Sequence, residues 1–331
     1  MGLSATAMTP LDHIARRSAW RPLEIVFWLL TLLPFYLTPD YLQLASQIAI
    51  TALFAISLDL ILGYGGLVSL GHAAFFGLGA YAAGLFSKHV WGEPLSGLLL
   101  AAVITGLFGY FLSFIIASFR GLALIMITMG VGQLMLEAAN SAGKITGGAD
   151  GLQGVKTWPL FNAIRFDLYG NTAYGYSLAA LFVCFLVARR ITNSPFGLSL
   201  QGIRENSTRM LAIGAPNNAH VRQIFTIAAV MAGIAGALLT QTTETVSLET
   251  LSFQRSADLL VVLILGGVGR LYGGIIGAII YMVARDHFSG VNPQYWYFWI
   301  GMLLIAVVVF LPNGLLGGAA RLAPKSWRRE S

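Results

Sequence analysis

The sequence predicts an all-α polytopic membrane protein of about ten transmembrane helices, two of them short segments interrupted by glycine, with both termini cytoplasmic. Three observations carry that prediction. Hydrophobic residues make up 56% of the 331 and charged residues only 10%, and the mean hydropathy is +0.74, a balance outside the range of soluble domains. The apolar residues gather into runs that approach the ~20 residues a helix needs to cross hydrocarbon. The 38 glycines fit the same class, because helices in lipid associate through small residues that let their backbones approach. The net charge of +6 belongs to particular loops and reports orientation; it does not imply a nucleic-acid partner.

Taken in order, residues 1–22 are polar and carry Arg16, Arg17 and Arg21 ahead of an apolar run, 23–37. Pro34, Tyr36 and Pro39 stand where a cleavage site would need small residues, so the run is read as an uncleaved first span behind a cytoplasmic tail. The second span covers 41–62. The third, 67–86, is rich in glycine: Gly71, Phe75 and Gly79 fall on one helical face, Gly77 and Gly84 on another. That pattern predicts a helix packed on several sides at the centre of the bundle. The fourth span is 98–119, closed by Arg120, and the fifth is 122–139. The connection 140–175 is full of turn dipeptides, and its Lys144, Lys156 and Arg165 are nearly balanced by Asp150 and Asp167. The segment 189–222 carries five arginines against one acid, so the positive-inside rule puts it in the cytoplasm and 140–175 outside. A sixth span lies between these loops, and a seventh covers 224–240.

Within 189–222 the spacing predicts an amphipathic helix. Asn193 and Ser194 are N-cap residues and Pro195 suits the first helical position. Phe196, Leu200, Ile203 and Met210 fall on one face; Gln201, Arg204, Glu205, Thr208 and Arg209 fall on the other, with Glu205 placed to pair with Arg209. Gly214 and Pro216 end it. Such a helix, too polar to span and tethered at both ends, needs a surface to dock on, either lipid headgroups or a soluble partner.

Parity decides the next element. Counting 256–284 as one span would place the basic tail 312–331, with Arg321, Lys325, Arg328 and Arg329, outside. A glycine turn at 266–274 that reaches the cytoplasm at Arg270 between two half-span helices removes the conflict, and interrupted segments of this kind point to transport architecture. A last span covers 295–311, with Trp296 and Trp299 near the outer interface.

The chain has no paired catalytic carboxylates, no metal-binding His motif, no nucleophile elbow and no phosphate loop, so catalysis, a metal, a cofactor and autonomous ATP hydrolysis are not expected. Lone Cys184 sits in an apolar run as a small buried side chain. Ionisable or polar groups inside spans are candidates for function, each with a structural alternative. Asp59 suits an interhelical or interfacial hydrogen bond, or a place in a pathway. His72, next to Gly71, suits a donor to a neighbouring helix, or a solute contact. Gln133 and Glu137, four apart, either line a polar path or meet a neighbour and outer water. Asp258, near Arg255, reads as a charge at a helix N-terminus.

Four stretches then resemble one family: LILGYGGLVSLGHAAFFGLGAY, ITGGADGLQGV, PFGLSLQGIRENSTRMLAIG and LLVVLILGGVGRLYGGIIGA. Together they look like a permease subunit of the branched-chain amino-acid (hydrophobic amino acid, amide and urea) ABC importers, of the M type. The resemblance implies that 23–311 is the permease domain and that the third stretch is the element seated in a cytoplasmic ATPase, with Arg204, Glu205, Ala212 and Gly214 in the coupling contact. It also implies two ATPase subunits, a second and different permease, a periplasmic solute-binding protein, and a place in a bacterial inner membrane. Branched-chain amino acids are the implied solutes, then urea or short amides. An ATP-independent secondary transporter or channel is the rival class. The chain departs from the family pattern at Asp59, where such proteins often carry Asn, and at Arg270, where they often carry a small residue.

Overall fold

The computed structural model describes residues 22–37, 39–160, 166, 170–311 and 314–322. Expectations placed on residues 1–21, Arg165, Asp167 and the basic residues after 322 lie outside the described residues. Among the described residues every extended element is helical, and the β-pairing present is an isolated bridge between Leu152 and Val246. Six helices are long and apolar enough to cross a membrane, or seven if a sharply bent pair counts as one span. This is the all-α membrane architecture the sequence predicts, with six or seven such spans among the described residues where about ten were expected, because the first apolar run and the glycine-rich third one form helices shorter than a span.

The first apolar run forms α1 (Pro22–Leu30) and α2 (Pro34–Leu37). α3 (Leu42–Asp59) follows. Its residues from 49 onward are buried on every side, which explains why it shows no amphipathic stripe: a helix apolar all round belongs in the interior. At its end the backbone loosens into a π turn, Leu60–Tyr64, in which the Gly65 N–H bonds to the Leu60 carbonyl five residues back.

The glycine-rich stretch departs from expectation at its start. α4 begins only at Ala73 and runs to His89; residues 65–72 are irregular, so Gly71 lies ahead of the helix. Within α4 the prediction of packing on several sides holds. A Cβ on Gly79 would overlap the Gly233 backbone, one on Gly77 the Leu251 side chain, and one on Gly84 would meet Leu152, Thr240 and Val246. α5 (Pro94–Ile116) and α11 (Asn217–Thr243) close on α4 through the same device, since Gly233 and Gly236 of α11 leave room for Thr105 and for the Phe76 carbonyl.

α6 (Leu122–Ser141) packs lightly on this core, and the connection after it contains a short helix, α7 (Gly143–Thr146). α8 (Asn171–Thr192) packs beside α3 and α1. There an Arg189–Glu24 ion pair of 2.6 Å and a Tyr174 hydroxyl bond to the Thr31 carbonyl of 2.5 Å hold it. Cys184 is buried in α8, as expected.

The amphipathic segment is two helices, not one: α9 (Pro195–Glu205) and α10 (Ser207–Ala212). Asn206 is extended, at φ −154° and ψ 94°, and its side chain accepts from the Arg209 N–H at 2.9 Å. An asparagine that caps a new helix ends the old one. The predicted Glu205–Arg209 pair is therefore not formed, since the two residues no longer share a helix.

α12 (Phe253–Gly266) and α13 (Leu271–Val291) are bent by 112° at the glycine turn. The turn was expected; two half-spans were not wholly so. α12 has 14 residues, but α13 has 21, about 31 Å of helix at 1.5 Å per residue. Asp258 lies a turn inside α12 and accepts from Gln254 at 3.0 Å; Ser252, not Asp258, caps the helix, through the Arg255 N–H. α14 (Trp296–Phe310) and α15 (Gly314–Leu322) complete the chain.

Candidate functional site

One end of the bundle is built around the α9–α10 elbow. Ser194 starts α9 by accepting from the Gly197 N–H at 3.4 Å, as its sequence position demands. Leu200 and Ile203, each 1% exposed, press into the bundle, and Phe196 stacks on His220 of α11 with ring centres 5.1 Å apart. Asn217 ties the second arm down by donating to the Ser207 carbonyl at 2.8 Å. What remains outside is mixed: Glu205, Arg209, Ala212 and Gly214 are exposed together with Leu211 and Ile213, the last 71% exposed. An apolar and charged surface on a rigid elbow is suited to a protein partner. Gly214 adopts φ +87° with open space beside it, so it is conformation, not crowding, that calls for glycine there.

Arg204 is exposed like the other three residues expected to act with it, but it alone of the four is bonded back to the π turn. Its guanidinium turns back to the bundle and donates to the Gly63 carbonyl, in the π turn after α3. Gly63 in turn lies against the bent pair. A Cβ there would overlap the Asp59 carboxylate and meet the Gly269 nitrogen at 2.6 Å. Asp59, fully buried, accepts from the Gly269 N–H at 2.7 Å. Gly269 needs its glycine for the turn itself, at φ +80°. A single chain of contacts thus links the exposed elbow to α3 and to the α12–α13 turn: α9, Arg204, Gly63, Asp59, Gly269. π turns recur at such working positions because they leave backbone groups free to bond elsewhere. The sequence carried a hint in the spacing of Asp59 and Gly63, one helical turn apart, and in the facing GYGG and GGVG stretches. It carried none that Arg204 would reach them.

Deeper in the bundle, the irregular segment 65–72 is fastened from three sides. The Leu70 N–H bonds to Thr128 of α6 at 3.3 Å, the Ala73 N–H bonds to Ser256 of α12 at 3.0 Å, and His72 Nε2 lies 2.8 Å from Ser57 of α3. Ser57 gives its own proton to the Phe54 carbonyl, so His72 Nε2–H is the donor and Nδ1 carries a bare lone pair. The ring stacks on Phe54, 9° from parallel, and is fully buried; of the two roles weighed for it, the structure provides the neighbouring helix. Gly71 lets the chain rest on the Thr128 carbonyl, which any Cβ would overlap. Gly71 and Gln133 share a cavity of about 250 Å³ between α6 and the start of α12. Glu137, a turn further along α6, is exposed and outside it, and Asp59 and His72 are likewise apart from it. The pathway candidates are therefore dispersed, with Gly71 and Gln133 as the pair brought together. Among the described residues no cluster of His, Cys, Asp and Glu has the makings of a metal site.

A helical bundle with several apolar spans, one bent pair and a rigid amphipathic elbow exposed at one end defines a polytopic membrane permease. The sequence model described as branched-chain amino acid transport system / permease component matches residues 41–308, and the chain belongs to that family. It is similar to the high-affinity branched-chain amino acid transport system permease proteins LivM of Salmonella typhimurium and of Escherichia coli, each 27% identical, with 86% of this chain and 71% of the relative covered. It also resembles the probable branched-chain amino acid transport permease protein LivM of Methanocaldococcus jannaschii, at 23% identity over 79% of this chain and 89% of the relative. No solved structure matches.

Proposed function

We propose that this permease is the membrane subunit of an ATP-driven importer for branched-chain amino acids in a bacterial inner membrane, working by alternating access. The observation that carries the ATP-driven reading is the elbow: its buried face fixes it to the bundle, its outer face is left free, and Arg204 connects it to the α3 and α12–α13 junction. One of two cytoplasmic ATPase subunits docks there, with Glu205, Ala212 and Gly214 in the contact and Arg204 behind them, and the other docks on the second permease. A second permease and a periplasmic solute-binding protein complete the assembly, and any nucleotide hydrolysis belongs to the ATPases. On this reading 189–222 and both tails, 1–22 and 312–331, are cytoplasmic and 140–175 is periplasmic. ATP does work only if it favours one arrangement of the spans over the other, and the chain from Arg204 to Gly269 is where that preference enters the bundle.

The test is affinity purification of the tagged protein in mild detergent together with leucine uptake. Wild type is expected to bring down ATPase subunits. Glu205→Ala and Gly214→Val are expected to lose them and to cut uptake by roughly tenfold or more, a coupling loss of at least about 1.4 kcal/mol. Glu205 is exposed, so Glu205→Ala leaves the fold intact; Gly214→Val strains the backbone at φ +87°, so its amount in the membrane is measured beside wild type and uptake is scored per protein inserted. Normal uptake by both variants, or solute-driven ion flux by the purified chain alone, would favour an ATP-independent carrier.

A further inference from the structure

At the end of the bundle opposite the elbow, α3, α11, α12 and α13 enclose a cavity of about 170 Å³. Thr51, in its wall, is twelve residues along α3 from Gly63, and so lies ~18 Å from the elbow junction. Two arginines from different helices line this cavity, Arg255 of α12 and Arg285 of α13. Each guanidinium rests on an aromatic face: Arg255 is 5.2 Å from the centre of the Phe76 ring and Arg285 is 5.3 Å from that of Trp296. Stacking fixes a guanidinium while leaving its in-plane N–H donors unused. Among the described residues neither has a carboxylate within ion-pair distance or a side-chain hydrogen bond. Two like charges share one cavity, with Glu249 and Asp258 near enough to act on Arg255 but not ion-paired with it, and an anion between the guanidinium groups offsets their repulsion and takes up their open donors. The remaining wall is divided. Glu249 supplies a negative rim, while Ile50, Leu239 and Met282 supply an apolar side.

We propose that this cavity seats a free aliphatic α-amino acid, with its carboxylate between Arg255 and Arg285, its ammonium toward Glu249 and its side chain against Ile50, Leu239 and Met282. The size agrees: a cavity of about 150 Å³ holds a molecule of benzene's dimensions, so this one suits a single small amino acid and excludes a peptide. The naming of the solute rests on the amino-acid transport reading above; the carboxylate seat rests on the arginines alone. The position is that of a first station within the bundle, reached from the face opposite the ATPase elbow.

The test is ligand protection of a single cysteine. Ser247, exposed on the cavity wall, is replaced (Ser247→Cys) in a Cys184→Ala background, and the assembled importer is placed in vesicles free of binding protein. Alkylation by a charged maleimide is then timed without ligand and with leucine, leucinamide or inorganic phosphate. At leucine about four times its dissociation constant, labelling is expected to slow roughly fivefold, the 1 + [L]/Kd factor of one site. Leucinamide and phosphate are expected to leave it unchanged. Adding Arg285→Gln or Arg255→Gln is expected to abolish protection while the rate without ligand stays at the parent value, which shows the cavity intact. If vesicles with binding protein and ATP take up leucine but leucine never slows labelling, the seat is overturned and the transport reading stands. Protection by phosphate equal to that by leucine overturns the amino-acid seat in favour of a simple anion site. If leucine is not transported, and another small carboxylate is both transported and protective, the seat stands and the solute assignment falls.

Discussion

Gly63 occupies a tightly constrained position at the elbow end: the Asp59 carboxylate and the Gly269 backbone lie where its Cβ would be, and its carbonyl accepts from Arg204. Gly63→Ala forces the π turn away from the α12–α13 turn and is expected to destabilise the protein by about 1–3 kcal/mol, in the range of overpacked cores. Thermal unfolding in detergent, followed by loss of monodisperse protein, measures this. Asp59 makes a contrasting pair of variants. Asp59→Asn keeps an Oδ1 acceptor for the Gly269 N–H and is expected to remain within about 1 kcal/mol of wild type. Asp59→Ala strands a buried donor and is expected to cost roughly 1–3 kcal/mol. Equal behaviour of Asn and Ala would remove the hydrogen bond from the account of this junction. At this scale the sequence marks which residues matter more readily than what they touch. Asp59 and His72 stand out as polar groups in apolar runs, yet their partners Gly269 and Ser57 follow only from packing.

At the scale of elements, local rules served where local chemistry decides. Ser194 and Pro195 announce the start of α9, and the core face of Leu200 and Ile203 is legible from their spacing. The rule failed one turn later. Asn206 sits in a run of helix-compatible spacing, but its side chain bonds the Arg209 N–H more favourably than its backbone continues α9, and so the elbow forms. The start of α4 failed for a different reason: the backbone of residues 70–73 is bonded to Thr128 and Ser256 on other helices, which periodicity cannot register. The same holds for Arg204, whose reach to Gly63 spans 141 positions of sequence. Its consequence can be measured. Arg204→Gln leaves the outer face of the elbow intact while cutting its link to the α3 junction, so ATPase subunits are expected to remain bound. The ATP hydrolysed per leucine imported is expected to rise by roughly tenfold, the size of a coupling free energy of about 1.4 kcal/mol. Arg204→Lys, without the planar fork, is expected to fall between. Loss of the ATPases in Arg204→Gln would instead place Arg204 in the docking contact with Glu205.

Among the described residues α6 and α14 are the least covered of the long helices, and they differ in what they expose. α14 presents Ile305, Val309 and Phe310, all at least 66% exposed, and has no Asp, Glu, Lys, Arg or His along its length. That surface suits lipid. α6 presents one stripe through Met126, Met129, Gly130, Gln133, Leu134 and Glu137, spaced three and four apart. Two of these are polar, and an ionisable group facing hydrocarbon costs several times what an apolar one gains. The Gln133 end of the stripe also opens onto the cavity beside Gly71. If the assembly proposed above is right, the stripe is expected to lie against the second permease, where polar groups can meet water or a partner. Cysteines placed singly at Met126 and Leu134, which are 73% and 71% exposed, are expected to cross-link to the partner permease in native membranes, with yields that change when ATP is trapped on the assembly. A cysteine at Ile305 is expected to give no cross-link and to react instead with a lipid-soluble maleimide. The reverse pattern would put α14 at the subunit interface and turn Gln133 and Glu137 outward, leaving a path within this chain alone.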